Sequence, residues 1–132
     1  MFTALRFGDK LLNNDNIAEA FNCNPDALYI GFEIPFAMAA AAAKIASAKG
    51  IPVFVDAAPA SKDYPLETLP PVEIFSPNET ETFEYTGVMP KGAASCLTAA
   101  HSLFGKVKAI NPVEAWVMRI VYTLKYSKQA EK

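Results

Sequence analysis

Four side chains stand where a ligand can be met: Glu33, Asp56, Asn78 and Glu81. Each follows a segment of strand length, respectively Ala27–Phe32, Ile51–Val55 and, for the last two, Val72–Phe75. In an open parallel sheet, ligands collect in the crevice beyond the carboxyl ends of the strands. Three carboxylates and one amide at three such ends are therefore expected to meet in a single crevice rich in hydrogen-bond acceptors. Each residue also has a purely structural use. Asn-x-x-Glu at a helix start is a capping box, and the chain carries it three times, at Asn16/Glu19, Asn78/Glu81 and Asn111/Glu114. Asp56 is suited to turning a loop, and Glu33 to the start of a helix, where negative charge is favoured.

Other chemistries lack their residues. There is no G-x-x-x-x-G-K-[ST] loop, no G-x-G-x-x-G and no G-x-S-x-G elbow. His101 is the sole histidine and lies five residues from Cys96, with no third partner indicated for nucleophilic catalysis. The two cysteines, Cys23 and Cys96, form no C-x-x-C and read as small reduced core residues.

The elements that must position these groups alternate between strand and helix. Pro35 opens a helix through about Lys49, with the alanine-rich core FAMAAAAAKIASAK, and Gly50 ends it. The run ALYIGF at Ala27–Phe32 suits a strand covered on both faces. Tyr64–Leu69 fits a short helical turn, Pro77–Tyr85 a helix stopped by Gly87, and Ala93–Phe104 another helix. Asn16 and Glu19 are expected to cap an earlier helix that ends before Pro25. A fourth short strand is expected at Val107–Ile110. Beyond it, Val113, Trp116, Val117, Ile120, Val121 and Leu124 fall at helical spacing on one face. Such alternation implies parallel pairing.

A length of 132 residues bounds the chain at one domain, residues 1–132. A net charge of −2 gives no electrostatic reason to expect nucleic acid or an acidic membrane as partner. The longest apolar run, Ile34–Ala43, is mostly alanine and too short to span a bilayer. The expected setting is soluble and cytoplasmic.

The run VFVDAAPASKDYPLETLPPVEIFSPNETETFEYTGV resembles the ribokinase-like (PfkB-type) carbohydrate kinase family. There a strand ends in Asn-Pro-Ala-Pro-Ala or similar, followed by Asp-Ile-x-x-Pro-Asn-x-x-Glu and a Thr-Gly. The matching residues here are Asp56–Ala60, Glu73–Glu81 and Thr86-Gly87, and Tyr29–Pro35 resembles the strand whose final glutamate contacts the sugar. Order and spacing agree from about Gly8 to Phe104. The resemblance implies a three-layer, Rossmann-like α/β partial domain, its small parallel sheet flanked by helices.

It implies further that Asn78 and Glu81 position magnesium and phosphate, and that Glu33 and Asp56 bind substrate. Asp56 stands where asparagine is usual, which places an anion beside a phosphate path. The cofactors implied are Mg2+ and ATP, with phosphoryl transfer to a sugar hydroxyl. The family's Gly-Ala-Gly-Asp motif, glycine-rich sugar site, lid and nucleotide loop have no counterpart in this sequence. Val107–Ile110 resembles the lead-in to that motif, but Asn111–Trp116 follows instead. The expectation is a truncated sugar kinase, inactive alone. The alternatives are a non-catalytic module acting as a homodimer, or one piece of a split kinase completed by another fragment. The faces expected to find a partner are Trp116/Ile120/Leu124 and Phe2/Leu5/Phe7.

Overall fold

The structure, a computed structural model, describes residues 4–5 and 13–108. Four parallel strands are formed by Ala4–Leu5 (β1), Ala27–Gly31 (β2), Val53–Asp56 (β3) and Ile74–Ser76 (β4). They lie in the order β1-β2-β3-β4. Four helices accompany them: Asn14–Ala20 (α1), Phe36–Ala48 (α2), Glu79–Thr86 (α3) and Ala93–Phe104 (α4). The β3–β4 connection carries a single 3-10 turn, Leu66–Thr68. A sheet whose successive strands advance in one direction through right-handed crossovers receives its connections on one face.

The side-chain pattern shows that face. Residues paired in register in a parallel sheet project to the same side, and neighbours along a strand alternate. Ile30, Val55 and Phe75 are one such row, with Leu28 and Val53 a second, and all five are buried. Ala39, Ala42, Ala43 and Ala46 of α2 are buried in the same core. The absence of longer side chains lets the α2 backbone lie close to the strands. α3 meets this face through Tyr85, whose ring centroid is 5.7 Å from that of Phe75. α4 packs on α3 and contributes Cys96, Ala99, Ala100 and Leu103 to the same core.

The opposite face carries Tyr29, Phe54 and Ile74 in register, then Gly31, Asp56 and Ser76. Tyr29 is 44% exposed, and Phe54 and Ile74 are half-buried. β2, expected to be covered on both faces, is thus covered on one among the described residues. Its tyrosine can face water because the phenol is polar at its tip.

The helix ends follow local chemistry. α1 begins three residues earlier than expected. Asn13, not Asn16, is its N-cap, and Asn16 supplies the reciprocal side chain in place of Glu19. The Asn16 N–H donates to Asn13 Oδ1 (2.9 Å) and the Asn13 N–H to Asn16 Oδ1 (2.8 Å). Asn-x-x-Asn thereby does the work expected of Asn-x-x-Glu. Gly87 closes α3 at φ 72°, the left-handed conformation that favours glycine. The Val72 N–H donates to the Lys108 carbonyl (2.9 Å), so the chain returns beside the start of β4. That contact sits where the strand at Val107–Ile110 was expected. Its later residues, the helix expected from Pro112 and the Phe2/Leu5/Phe7 side chains lie outside the described residues.

Candidate functional site

At the carboxyl edge of the sheet, Asp56 ends β3 between Gly31 of β2 and Ser76 of β4. Its carboxylate is held on both oxygens. The Tyr29 hydroxyl donates to Oδ2 (3.1 Å), reaching diagonally across the strands, and the Ala58 N–H donates to Oδ1 (3.3 Å). Asp56 therefore turns its own loop, as its structural use requires, and a neighbouring phenol fixes its direction. Both carboxylate oxygens retain acceptor capacity.

The loop after Asp56 is bound to both neighbouring strands. The Phe32 N–H donates to the Ala58 carbonyl (2.9 Å), and the Ala57 N–H to the Ser76 carbonyl (3.2 Å). The Tyr85 hydroxyl donates to the Ala57 carbonyl (2.7 Å). The Ala58–Pro59 peptide is cis. Beneath this loop, Phe32, Phe36, Tyr64, Phe75 and Tyr85 form a continuous aromatic cluster. Phe36 stacks on Tyr64 with centroids 5.0 Å apart, and Phe32 meets Tyr64 edge-on at 5.2 Å. Burial, reinforced by Tyr64, Glu81 and Glu84 and opposed by the Ser61 backbone, pushes the Tyr85 phenol well above its ordinary range. The phenol consequently keeps its proton and its hydrogen bond.

Asn78 and Glu81 close on each other at the start of α3. The Glu81 N–H donates to Asn78 Oδ1 (2.8 Å) and the Asn78 N–H to Glu81 Oε2 (2.8 Å), completing a reciprocal capping box. The Asn78 side-chain amide also donates to Glu81 Oε1 (3.0 Å). The pair thus has the structural role its spacing allows. One turn further, buried Thr82 donates to the Asn78 carbonyl (2.7 Å), which fixes the backbone that presents the pair.

Asp56 and the Asn78–Glu81 box follow adjacent strands and share the carboxyl edge. Glu33 stands exposed in the turn after β2. Among the described residues, no hydrogen bond ties Glu33 to Asp56 or to the box. Cys23 is exposed, Cys96 is buried in α4, and no disulfide involves either. His101 lies exposed in the last turn of α4.

Among the described residues, no group of three histidine, cysteine or acidic side chains is arranged to hold a metal. No buried side-chain nitrogen or oxygen among them lacks a partner. An all-protein metal cage therefore does not fit. A magnesium ion that keeps waters and arrives on a phosphate needs one or two carboxylates, and Glu81 meets that smaller demand. The sequence reading missed Tyr29 and Tyr85. A tyrosine in an apolar strand and another one turn past Thr82 gave no local sign that their hydroxyls meet Asp56 and Ala57.

No known family profile matches the sequence, and no curated protein matches it. Solved structures do. The crystal structure of Sa239 is similar with a TM-score of 0.63 at 23% sequence identity, over 74% of this chain and 32% of that one. The likeness establishes the fold. This is a small Rossmann-like α/β domain, and it spans about a third of the length of that solved chain. No helix among the described residues is long and apolar enough to cross a membrane.

Proposed function

We propose that the chain is a relative of the ribokinase-type carbohydrate kinases that holds the phosphate-positioning side of such a site. Asn78 and Glu81 would meet magnesium on a nucleotide phosphate, and Asp56 and Glu33 would face a sugar. The observation that supports this reading is the row Gly31–Asp56–Ser76, followed two residues later by Asn78 at the N-terminus of α3. It places an Asn-x-x-Glu pair and an aspartate together at the edge where parallel sheets bind ligands. Bound magnesium would neutralise charge on the phosphate oxygens. The Glu81 carboxylate would hold the metal's waters, while Asn78 orients that carboxylate through its amide.

Transfer to a sugar hydroxyl also needs a base to take the hydroxyl proton and donors aimed at the transferring group. No residue of this sequence is assigned to either task. The same reading therefore makes the isolated chain inactive and assigns the base and the rest of the nucleotide site to a complementary fragment. A cytoplasmic setting belongs to it. A second reading, a homodimeric interaction module, is favoured by the exposed Phe83, Met89 and Leu97 on and between α3 and α4.

Calorimetric titration with Mg-ATP, then with pentoses, hexoses and nucleosides, tests the proposal. Glutamine also closes a capping box, so Glu81→Gln removes the charge and keeps the cap. Binding in the micromolar range that is lost in Glu81→Gln supports the reading. No heat at millimolar Mg-ATP from the folded chain refutes it, and ADP formation by the chain alone refutes the need for a partner.

A further inference from the structure

We propose that α4 pairs with α4 of a second copy of this chain, antiparallel and about a two-fold axis that passes between Leu97 and Thr98. This takes up the homodimeric reading and gives it an interface, and binding of Mg-ATP has no bearing on it. The water-facing side of α4 is formed by Ala93, Ala94, Leu97, Thr98 and His101, all exposed, with Leu97 at 59%. No Asp, Glu, Lys or Arg lies in this helix. The other three helices turn charge to water: Asp15 and Glu19 in α1, Lys44 in α2 and Glu84 in α3. Three of the four most exposed large apolar side chains among the described residues, Phe83, Met89 and Leu97, fall on α3, on α4 or between them. A helix side that is exposed yet free of charge is suited to contact rather than to solvent.

Self-complementarity selects the occupant. Ala94, Leu97, Thr98 and His101 are spaced i, i+3, i+4, i+7 and form one stripe. A two-fold contact is isologous, so each position of the stripe meets its symmetry-related position. Leu97 then meets Thr98 of the partner subunit, and His101 meets Ala94 of the partner subunit. Each larger side chain faces a smaller one. Charge agrees. In an antiparallel pair, the positive N-terminal end of each helix lies beside the negative C-terminal end of the other. α4 has no acidic residue in its first turn and only His101 as a basic residue in its last, so it supplies little charge to either of its own ends. The exposed Lys91, just ahead of α4, comes opposite the C-terminal end of the partner helix, where a cation is favoured. A helix of 12 residues is about 18 Å long. One such pair is smaller than a standard interface of about 1,600 Å², so dissociation in the micromolar range is expected.

Sedimentation velocity of the full chain over a thousandfold range of concentration is the first measurement, and a monomer–dimer equilibrium is the expected result. Leu97→Lys buries a charge in the seam and should raise the dissociation constant about tenfold or more. Lys91→Glu should raise it several-fold, whereas Lys44→Glu, on α2, should leave it unchanged. Far-ultraviolet circular dichroism checks the fold of each variant, and Leu97→Ala replaces Leu97→Lys if the lysine unfolds the chain. Orientation is read by cross-linking with an added oxidant in a chain carrying Cys23→Ser. Ala94→Cys combined with His101→Cys should give a disulfide-linked dimer, and either one alone should not. Two copies of one such cysteine lie about 10 Å apart along the pair, as do the two within one helix, and neither distance can be bridged. A monomer throughout the range overturns the proposal together with the homodimeric reading. A dimer indifferent to substitution of Leu97 keeps that reading and overturns α4 as its interface. Cross-linking through Ala94→Cys alone overturns the antiparallel alignment.

Discussion

The hydroxyl of Tyr85 donates to the carbonyl of Ala57 at 2.7 Å, joining α3 to the loop that carries Asp56. Both residues are buried, so water does not replace the bond if it is lost. Tyr85→Phe keeps the ring on Phe75 and removes the donor. A buried acceptor deprived of its donor costs about 1–3 kcal/mol. Urea unfolding should therefore show a lower midpoint at unchanged slope for this variant.

The same bond sets a limit at alkaline pH. The pKa of the Tyr85 phenol is raised well above its ordinary value, first by burial and then by Tyr64, Glu81 and Glu84. In the unfolded chain it ionises near its ordinary value, while in the folded chain it stays protonated. Proton release therefore favours the unfolded state once pH passes about 10. The contribution is fully present at neutral pH and declines above that value. Thermal unfolding from pH 8 to pH 11 should show a steep loss in the wild type. Tyr85→Phe should start lower and fall less, so that the two curves converge at high pH.

The capping box at α3 separates charge from cap. Asn78→Ala removes the acceptor for the Glu81 N–H and should cost about 1 kcal/mol. Glu81→Gln should stay within about 0.5 kcal/mol of wild type, since the cap survives. Chemical denaturation of both variants beside the wild type measures the difference. Equal losses in the two would mean that the Glu81 charge contributes as much as the Asn78 cap to holding the helix start.

At the other end of α3, Gly87 has φ +72° and nothing within 4 Å of an added Cβ. Gly87→Ala meets no neighbour, so its effect is the backbone cost of a left-handed alanine, about 1–2 kcal/mol. A drop in melting temperature with unchanged circular dichroism at room temperature is the expected outcome. An unchanged melting temperature would mean that the chain turns differently here.

Punctuation made much of the fold readable. Pro35 and Gly50 bracket α2, Asn78 and Gly87 bracket α3, and the alanine content of α2 announces close packing on a sheet. The strands β2, β3 and β4 overlap their expected segments, with β3 and β4 beginning two residues later and ending one residue later than expected. What failed was choice between near-equals. Asn13, Asn14 and Asn16 all suit a cap, and spacing alone does not decide which pair reciprocates. The apolar run around Tyr29 also hid the exposure of one face, because a tyrosine serves a core or a surface equally well. The candidate site was legible as positions along the chain. Its bonds were not, since Tyr29 to Asp56 and Tyr85 to Ala57 depend on strand register and on where α3 docks.

The contact of α2 with the sheet is where a small change should matter most. Ala39, Ala42, Ala43 and Ala46 are fully buried, and Leu28, Ile30, Val53 and Val55 fill the strand side. Interiors are packed to the density of organic crystals, so an added isobutyl group must push the helix away or twist from its rotamer. Ala43→Leu should therefore destabilise by about 1–3 kcal/mol although leucine is a good helix former. Ala43→Gly should cost about 1 kcal/mol through helix propensity, with a little more for the lost methyl contact. The contrast is diagnostic. If close approach of α2 is the controlling feature, leucine is worse than or equal to glycine. At an exposed helical position such as Lys44 the order reverses, and leucine is far better tolerated. Urea midpoints for Ala43→Leu, Ala43→Gly, Lys44→Leu and Lys44→Gly settle the matter, and a leucine tolerated at both positions would place α2 further from the strands than its burial implies.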